Sequence, residues 1–418
     1  MLQLNYFLDQ IEFFKKGAKK KGIALSWNQL ERDLAEIRTL KLQVDKLRQA
    51  KNLAAKKRDL KEGKAIKTKL EKLEKPLETR ELKLTQELLK VPNAPLPEVP
   101  EGNESQNQVL EAVGEPKKFS FSLKDHLELG ESLDILDVKA AAKTSGSRFY
   151  FLKNEAVELE WALLVWLSDL FKKEGFKLLI PPALVKKEVM LASGFLPLGG
   201  DDIYQTTLDE LYLVGTAEQS ILGYHLNETL SETVLPLRYL GFSPSFRREA
   251  GSYGKDIRGI IRTHQFDKLE FFSFVRPEKS EKEHRFLVGL EEKILQALKL
   301  PYRKVLLASE DISMASVKTI DLEVWLPSQK RYLEITSCSN CTDWQAWRGN
   351  IRYRVAGQQV SRSAGQSKTK YVHTLNGTAA AIGRLLVAIW ENYQEKDGSV
   401  VVPEVLQPYL TFRKISPH

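Results

Sequence analysis

Two amphipathic stripes near the N-terminus constrain the fold of this chain most strongly. The first occupies residues 27–60, and its apolar positions recur at steps of three and four: Leu30, Ile37, Leu40, Val44, Leu47 and Ala54. After a polar break at 57–64, the second repeats this spacing: Ile66, Leu70, Leu73, Leu77, Leu84 and Leu88. Each stripe is one face of a helix, and two such helices bury each other's apolar face. The pattern therefore predicts an antiparallel helical hairpin, an arm about 50 Å long.

The positive charge of the chain is concentrated in this arm. The whole chain has 63 Lys and Arg against 55 Asp and Glu, a net charge of +8. Residues 11–90 hold 23 basic and 12 acidic residues, so this part is +11 and the remainder is −3. A basic appendage predicts a polyanionic partner, although the pattern alone leaves open a solvated coiled coil or a dimerisation element. Pro76 is expected to kink the second helix or to destabilise it by about 3 kcal/mol.

Several classes of protein do not fit this sequence. No apolar run approaches the roughly 18 residues of a membrane span, and residues 1–5 do not read as a secretory signal. Two cysteines in 418 residues fit a reducing cytoplasm, which is the expected location. Cys338 and Cys341 form a Cys-x-x-Cys pair without a second ligand pair, so no structural zinc is expected.

The sequence also predicts where the chain divides. Prolines at positions 92, 95, 97 and 100 mark a linker, which separates an N-terminal domain (1–100) from a larger domain (101–418). The larger domain alternates strand-like runs at 149–151, 178–180, 211–214 and 322–325 with helical patterns, clearest at 154–174 and 378–394. The regular strand–helix–strand alternation of a parallel sheet is absent. An α+β fold around a mainly antiparallel sheet is therefore predicted.

One candidate site is a hairpin that runs through Arg247 and Glu249 and returns through Phe266. Alternation along a strand would place Arg247 and Glu249 on one side, and the glycine-rich connection 251–256 would lie between the strands. Arginine holds phosphate bidentately, a carboxylate accepts from an amino group, and an aromatic ring stacks on a base. An ordinary hairpin with exposed ion pairs remains the alternative.

A second candidate site is the run of small residues at 376–384, which leads into a helix. Arg384 would lie in the first turns of that helix. A helix N-terminus favours anions, and a nearby arginine adds a fixed positive charge. A plain helix start with a surface arginine is the alternative.

Taken together, these segments resemble a known family. FRREAG (246–251) and the 376–384 helix start resemble motifs 2 and 3 of class II aminoacyl-tRNA synthetases, and GFKLLIPP (175–182) resembles motif 1, the dimer interface of that class. RGIIRTHQF (258–266), EITSCSN (334–340), TLNGT (374–378) and the arm resemble the bacterial-type seryl-tRNA synthetases. The resemblance covers almost the whole chain. It places motif 1 at about 155–182, motif 2 at 240–270 and motif 3 at 374–394.

The resemblance implies residues for ATP. Arg247 would bind the α-phosphate, Glu249 the adenine amino group and Arg384 the γ-phosphate, with Phe266 stacked on adenine. Other positions implied for ATP are Arg248, Thr263, Glu334, Ile335, Thr336 and Ser337. Glu334 and Ser337 are also implied for Mg²⁺.

The resemblance likewise implies the activity and partners of a serine–tRNA ligase. L-Serine would be activated to seryl-adenylate and transferred to serine tRNA, and also to selenocysteine tRNA. Its binding residues would be Thr216, Ala217, Glu218, Glu270, Thr378 and Asn376. The arm would meet the long variable arm of the tRNA through Lys56, Lys57, Arg58, Lys61 and Lys64. A homodimer without a membrane partner is expected.

Two alternatives and one departure belong with this interpretation. A catalytically dead paralogue would have lost Arg247, Glu249, Glu334 or Arg384, and all four are present. A ligase for carrier proteins would lack the arm. The departure is at 345–349, where relatives usually have Gln-Ala-Arg-Arg-Met and this chain has Trp347 and Gly349.

Overall fold

The computed structural model describes residues 7, 10–250, 259–355 and 369–417. The glycine-rich connection 251–256 and the first residue of the 258–266 segment lie outside the described residues. The chain divides into two compact units, Met1–Ala94 and Pro95–His418. This division lies six residues before the predicted boundary at 100.

Within residues 10–94, the first unit contains three helices, α1 (Ile11–Lys20), α2 (Trp27–Lys56) and α3 (Leu60–Leu88). The apolar stripes of α2 and α3 face each other, which confirms the predicted helical hairpin. The buried positions are Leu30, Leu34, Ile37, Val44 and Ala54 on α2 and Ile66, Leu70, Leu77, Leu84 and Leu88 on α3.

The turn of the hairpin is shorter than the sequence predicts. Only residues 57–59 lie outside the two helices, because the Asp59 carboxylate accepts a hydrogen bond from the Glu62 backbone N–H at 2.9 Å and caps α3. Arg58 has a positive φ of 56°, which reverses the chain. The five cations predicted for the tip therefore occupy the end of α2, the turn and the start of α3, and all five are exposed.

Pro76 lies inside α3, and the helix continues through it. Proline removes one helical hydrogen bond and crowds the preceding turn. We expect Pro76→Ala to stabilise this part of the arm by up to about 3 kcal/mol. Hydrogen exchange of amides in residues 70–80 should slow accordingly, whereas the exposed control Glu78→Ala should change it little. Unaltered exchange in Pro76→Ala would show that the helix accommodates the ring without cost.

Among the described residues, the second unit is built on a sheet of eight strands. In chain order these are β1 (Gln108–Val113), β2 (Lys177–Leu179), β3 (Leu237–Phe246), β4 (Gln265–Val275), β5 (Tyr302–Leu306), β6 (Lys318–Leu326), β7 (Arg331–Thr342) and β8 (His373–Ala381). Their order across the sheet is β1-β5-β6-β7-β8-β4-β3-β2. Every pair is antiparallel except the edge pair β2–β3. The predicted α+β fold on a mainly antiparallel sheet is confirmed.

Eight helices surround this sheet in the described part of the unit. They are α4 (His126–Ser132), α5 (Val138–Ser145), α6 (Glu155–Lys173), α7 (Lys187–Ser193), α8 (Ala217–Tyr224), α9 (Ser280–Ala297), α10 (Trp344–Gly349) and α11 (Ile382–Tyr393). The predicted helix 154–174 corresponds to α6. The helix predicted at 378–394 begins only at Ile382, because residues 378–381 belong to β8 and pair with β4.

Short elements complete the described residues. Paired strands of two or three residues lie at 136–137, 151–152, 184–185, 212–213, 229–231, 352–354, 369–371, 400–401 and 414–415. Single turns of 3₁₀ helix lie at 104–106, 200–202, 232–234 and 277–279, with a longer one at 404–409. None of the helices within the described ranges is long and apolar enough to cross a bilayer.

Candidate active site

Two adjoining chambers open on one face of the main sheet. The first has a volume of about 230 Å³ and the second about 500 Å³. They share four lining residues, Arg247, Lys268, Glu334 and Thr378. The two chambers therefore meet along one common wall, which carries two cations and one carboxylate.

Strand β4 contributes three side chains to the site: one to the first chamber, one to the common wall and one to the second chamber. Side chains two apart lie on the same face of a strand, so Phe266, Lys268 and Glu270 form one row. Phe266 lines the first chamber, Lys268 lines both, and Glu270 lines the second. Thr378 of β8 lies directly opposite Glu270.

The first chamber collects most of the residues predicted for ATP. Arg247, Glu249, Thr263, Phe266, Glu334, Ile335 and Arg384 all line it. The Arg247 guanidinium lies 5.6 Å from the centre of the Phe266 ring and donates from Nε to the Gly215 carbonyl at 3.4 Å. An aromatic face and a cation thus stand side by side in this chamber.

The alternation expected for Arg247 and Glu249 is wrong in detail. Strand β3 ends at Phe246, so both residues follow the strand instead of lying within it. Glu249 adopts a positive φ of 52°, which turns its side chain independently of strand pleating. Its carboxylate pairs with Arg262 Nε at 3.2 Å, and both residues line the first chamber.

Arg384 and Glu334 form the far side of the first chamber. Arg384 is the third residue of α11, and its Nη1 lies 3.0 Å from both the Glu334 carboxylate and the Glu334 carbonyl. The surrounding protein opposes ionisation of Glu334, but Arg384, with Arg247 and Lys268, holds the pKa of this carboxyl below its ordinary value. The Glu334 side chain is 45% exposed. An ionised carboxylate therefore faces the chamber.

The second chamber collects most of the residues predicted for serine. Thr216, Glu218, Glu270, Asn376 and Thr378 line it, together with Ser337. Burial, and next the charge of Glu270, raise the pKa of Glu218 to about 7. Burial also raises the pKa of Glu270. Two buried carboxylates that lie this close together favour a positively charged ligand.

Two residues that hold these carboxylates are not predicted by the sequence. Gln345, fully buried on α10, donates from Nε2 to Glu218 at 2.6 Å and accepts from the Thr374 hydroxyl at 2.7 Å. Lys268 pairs with Glu270 and donates to the Thr216 hydroxyl at 3.3 Å. The alternation Phe266-x-Lys268-x-Glu270 is a signal from which Lys268 could be predicted, and no local signal indicates Gln345.

Three predicted residues do not line either chamber. Ala217 is fully buried as the first residue of α8. Arg248 is exposed, and its backbone N–H donates to the Asp202 carbonyl at 2.8 Å. Thr336 is buried within β7, between residues that do line the site.

The departure at 345–349 lies outside both chambers. Trp347 is buried, with 3% of its surface exposed, and belongs to the protein interior. The Arg348 guanidinium packs 3.5 Å from the centre of the Trp344 ring and donates to the Leu191 carbonyl at 3.3 Å. Trp347 and Arg348 therefore line neither chamber.

Comparison with known proteins assigns the class of this site. Residues 203–393 match the family described as the tRNA synthetase class II core domain (G, H, P, S and T). This range contains Arg247, Glu270, Glu334 and Arg384. Most residues that line the two chambers therefore lie in the part of the chain that matches a class II tRNA synthetase core.

Relatives identify the family within that class. A serine–tRNA ligase of Dictyoglomus turgidum is 43% identical over 92% of this chain and 91% of its own, and one of Dehalococcoides mccartyi (strain 195) is 41% identical over 98% of both. The structure of seryl-tRNA synthetase from Pyrococcus horikoshii complexed with ATP has a TM-score of 0.89 and 35% identity, and each chain is covered fully. The chain belongs to the serine–tRNA ligase family.

Proposed function

We propose that this protein activates L-serine with ATP and transfers it to serine tRNA, and also to selenocysteine tRNA. The observation that carries the proposal is the meeting of two chambers at a wall that contains Arg247 and Lys268. The reaction joins the serine carboxylate to the α-phosphorus of ATP, so its reacting atoms must meet where the two binding spaces meet. The family supports the same activity, since its curated relatives are serine–tRNA ligases.

The residues suit the chemistry of adenylate formation. A carboxylate is already a nucleophile, so the first step needs charge neutralisation and positioning without a general base. In our proposal Phe266 and Glu249 hold the adenine, Arg247 the α-phosphate and Arg384 the γ-phosphate. Glu218 and Glu270, with Thr216, receive the serine ammonium, and Thr378 and Asn376 flank its side chain.

Glu334 and Ser337 are the proposed protein ligands of magnesium. Mg²⁺ prefers oxygen ligands and is held by one or two protein carboxylates together with substrate phosphates. The ionised, exposed carboxylate of Glu334 and the hydroxyl of Ser337 fit these preferences. When bound, the ion would neutralise phosphate charge. That the Cys338–Cys341 pair holds no structural zinc remains a prediction.

Serine-dependent ATP–pyrophosphate exchange tests the proposed activity directly. The protein, supplied with magnesium, should catalyse exchange with L-serine and should reject alanine, because the buried polar groups of the serine chamber would be left unpaired. Charging of serine tRNA should follow. A folded, magnesium-supplied sample with no serine-dependent exchange would contradict the proposal.

The raised pKa of Glu218 gives a pH-dependent prediction. Because this pKa is about 7, the carboxyl becomes neutral as the pH falls through 7 and loses its attraction for the serine ammonium. We expect kcat/KM for serine to fall below pH 7 by up to about tenfold per pH unit, while the KM for ATP at saturating serine stays level. In Glu218→Gln, serine binding should be weaker and this pH dependence absent. A flat wild-type profile between about pH 6 and pH 8 would contradict the assignment.

An exposed apolar face supports a homodimer built on motif 1. Large apolar side chains are 44–86% exposed there: Trp161 and Val165 on α6, and Leu178 and Ile180 at β2. A neighbouring cavity of about 500 Å³ is lined by Leu164, Leu240 and Phe242, among others. Contiguous apolar surface at a sheet edge typically marks an interface.

Placing a charge on this face should dissociate the dimer. Ile180 is 86% exposed, and Ile180→Asp would bury a carboxylate in the proposed interface. We expect the dimer dissociation constant to rise at least about 30-fold, a loss of ~2 kcal/mol. Leu208→Asp is the matched control, because Leu208 is 94% exposed and does not line the neighbouring apolar cavity. Analytical ultracentrifugation measures both, and equal behaviour of the two variants would contradict the proposed interface.

The charge distribution along the arm supports its proposed binding of tRNA. The distal part, residues 46–72, contains eleven basic and three acidic residues. The proximal parts, 27–45 and 73–90, contain seven basic and eight acidic residues. Within the helical hairpin, residues 27–90, the surplus charge thus lies in the part with the turn, which suits local contact with a phosphate backbone. A tRNA substrate and two cysteines that form no disulfide both accord with a cytoplasmic location.

A further inference from the structure

Lys268 is a buried cation that lies between the two chambers. It is 7% exposed, and it contributes to the walls of both chambers. Its ammonium pairs with Glu270 and donates to the Thr216 hydroxyl at 3.3 Å. In the structure it therefore occupies the place next to Glu270 and Thr216 that the proposed function gives to the serine ammonium.

The ammonium groups of serine and Lys268 compete for the position next to Glu270, because both are positively charged. Two ammonium groups at the same carboxylate repel each other, and in a partly buried site this repulsion is several times stronger than in water. Lysine has four rotatable bonds and carries its charge on a compact tip. Lys268 can therefore leave Glu270 without movement of β4, and the other chamber that it lines is open to it.

We propose, on the basis of the function proposed above, that Lys268 changes partner when serine binds. The serine ammonium replaces it at Glu270, and the released ammonium of Lys268 moves to the common wall, beside the α-phosphate of ATP. Serine binding thereby supplies a second cation, next to Arg247, where negative charge accumulates. The two substrates bind cooperatively because one displaces a charge that the other attracts.

This exchange predicts a coupling that binding measurements detect. Serinamide carries the ammonium and hydroxyl of serine but has no carboxylate, so it cannot react. In wild-type protein, calorimetry should show that serinamide tightens the binding of α,β-methylene-ATP by about tenfold, within the usual range of coupling between sites. In Lys268→Met the factor should fall to about one. Lys268→Gln gives the same test if the methionine variant folds poorly.

The direction in which Lys268→Met changes the affinity for serinamide distinguishes this role from a structural one. Without nucleotide, serinamide should bind Lys268→Met more tightly than wild type, because Glu270 no longer has a competing partner. A merely structural lysine would instead weaken the binding of both ligands. Lys318→Met is the matched control, since Lys318 lies in the same sheet, pairs with Glu98 and Glu281, and lines neither chamber. Its coupling should equal that of wild type.

The outcomes distinguish this proposal from the proposed function. Independent binding of the two ligands to wild-type protein, or coupling that persists in Lys268→Met, would overturn the role of Lys268. Serine-dependent exchange would still establish the activity in that case. If wild-type protein neither catalyses exchange nor binds serinamide, the function itself fails, and the proposal for Lys268 fails with it.

Discussion

Replacing Arg247 by alanine is expected to lower serine-dependent ATP–pyrophosphate exchange about 10³-fold, a loss of ~4 kcal/mol of transition-state stabilisation. Arg247 lies on the wall shared by the two chambers, beside the Phe266 ring. In the proposed mechanism it neutralises the α-phosphate while the serine carboxylate attacks. Lysine at this position would keep the charge but lose bidentate binding, so Arg247→Lys should fall between wild type and alanine.

The protein should remain folded in this variant. Arg247 follows the end of β3 and is half-buried, and its side chain donates one long hydrogen bond to a described residue, Gly215, at 3.4 Å. Thermal unfolding should therefore shift little. Arg285→Ala is the control, because Arg285 is 71% exposed on α9 and lines neither chamber. Exchange by Arg247→Ala at the level of this control would remove Arg247 from the catalytic machinery.

The sequence predicts the arm well because the arm depends on local periodicity. Apolar residues at steps of three and four determine which face of α2 and α3 is buried, and no distant contact is needed. The position of the turn is less predictable. Polar residues 57–64 look like a break between helices. Because the Asp59 side chain caps α3, that helix begins at Leu60 and includes Gly63.

Distant pairing explains the main error of prediction in the larger domain. Residues 378–381 are Thr-Ala-Ala-Ala, a composition that favours a helix. In the structure they extend β8, where Ala380 and Ala381 pair with Leu269 and Lys268 of β4. Sheet pairing outweighs the propensity of a short segment, and the sequence around 378 carries no sign of its partner more than a hundred residues away.

The supporting residues of the site are hidden for the same reason. Gln345 contacts Glu218 across 127 positions of the chain, and Lys268 contacts Thr216 across 52. The family resemblance implies the residues that face ligands, and the structure brings most of them to two chambers. The resemblance does not imply which buried groups hold those residues in place, because such contacts form only when the sheet and helices have assembled.

Removing the arm should separate the two chemical steps. Deleting residues 28–90 and closing the gap with a short glycine–serine linker should leave serine-dependent exchange within about threefold of wild type, because all lining residues of both chambers lie between 193 and 384. Charging of serine tRNA should fall at least about 100-fold, since electrostatic phosphate contacts supply much of the affinity of a protein for nucleic acid. Wild-type charging by the deletion variant would contradict the proposed role of the arm.

Two variants, each with five cations neutralised, should locate the tRNA-binding region within the arm. Changing the five tip cations, Lys56, Lys57, Arg58, Lys61 and Lys64, to glutamine should weaken tRNA binding and lower its salt dependence by about one unit of slope for each phosphate that is no longer neutralised. The matched control neutralises five proximal cations: Arg32, Arg38, Lys75, Lys83 and Lys90. Both variants lose the same net charge, so a general electrostatic effect would weaken them equally. Because the surplus charge of the hairpin 27–90 lies within residues 46–72, only the tip variant should lose tRNA affinity, and both should retain serine activation.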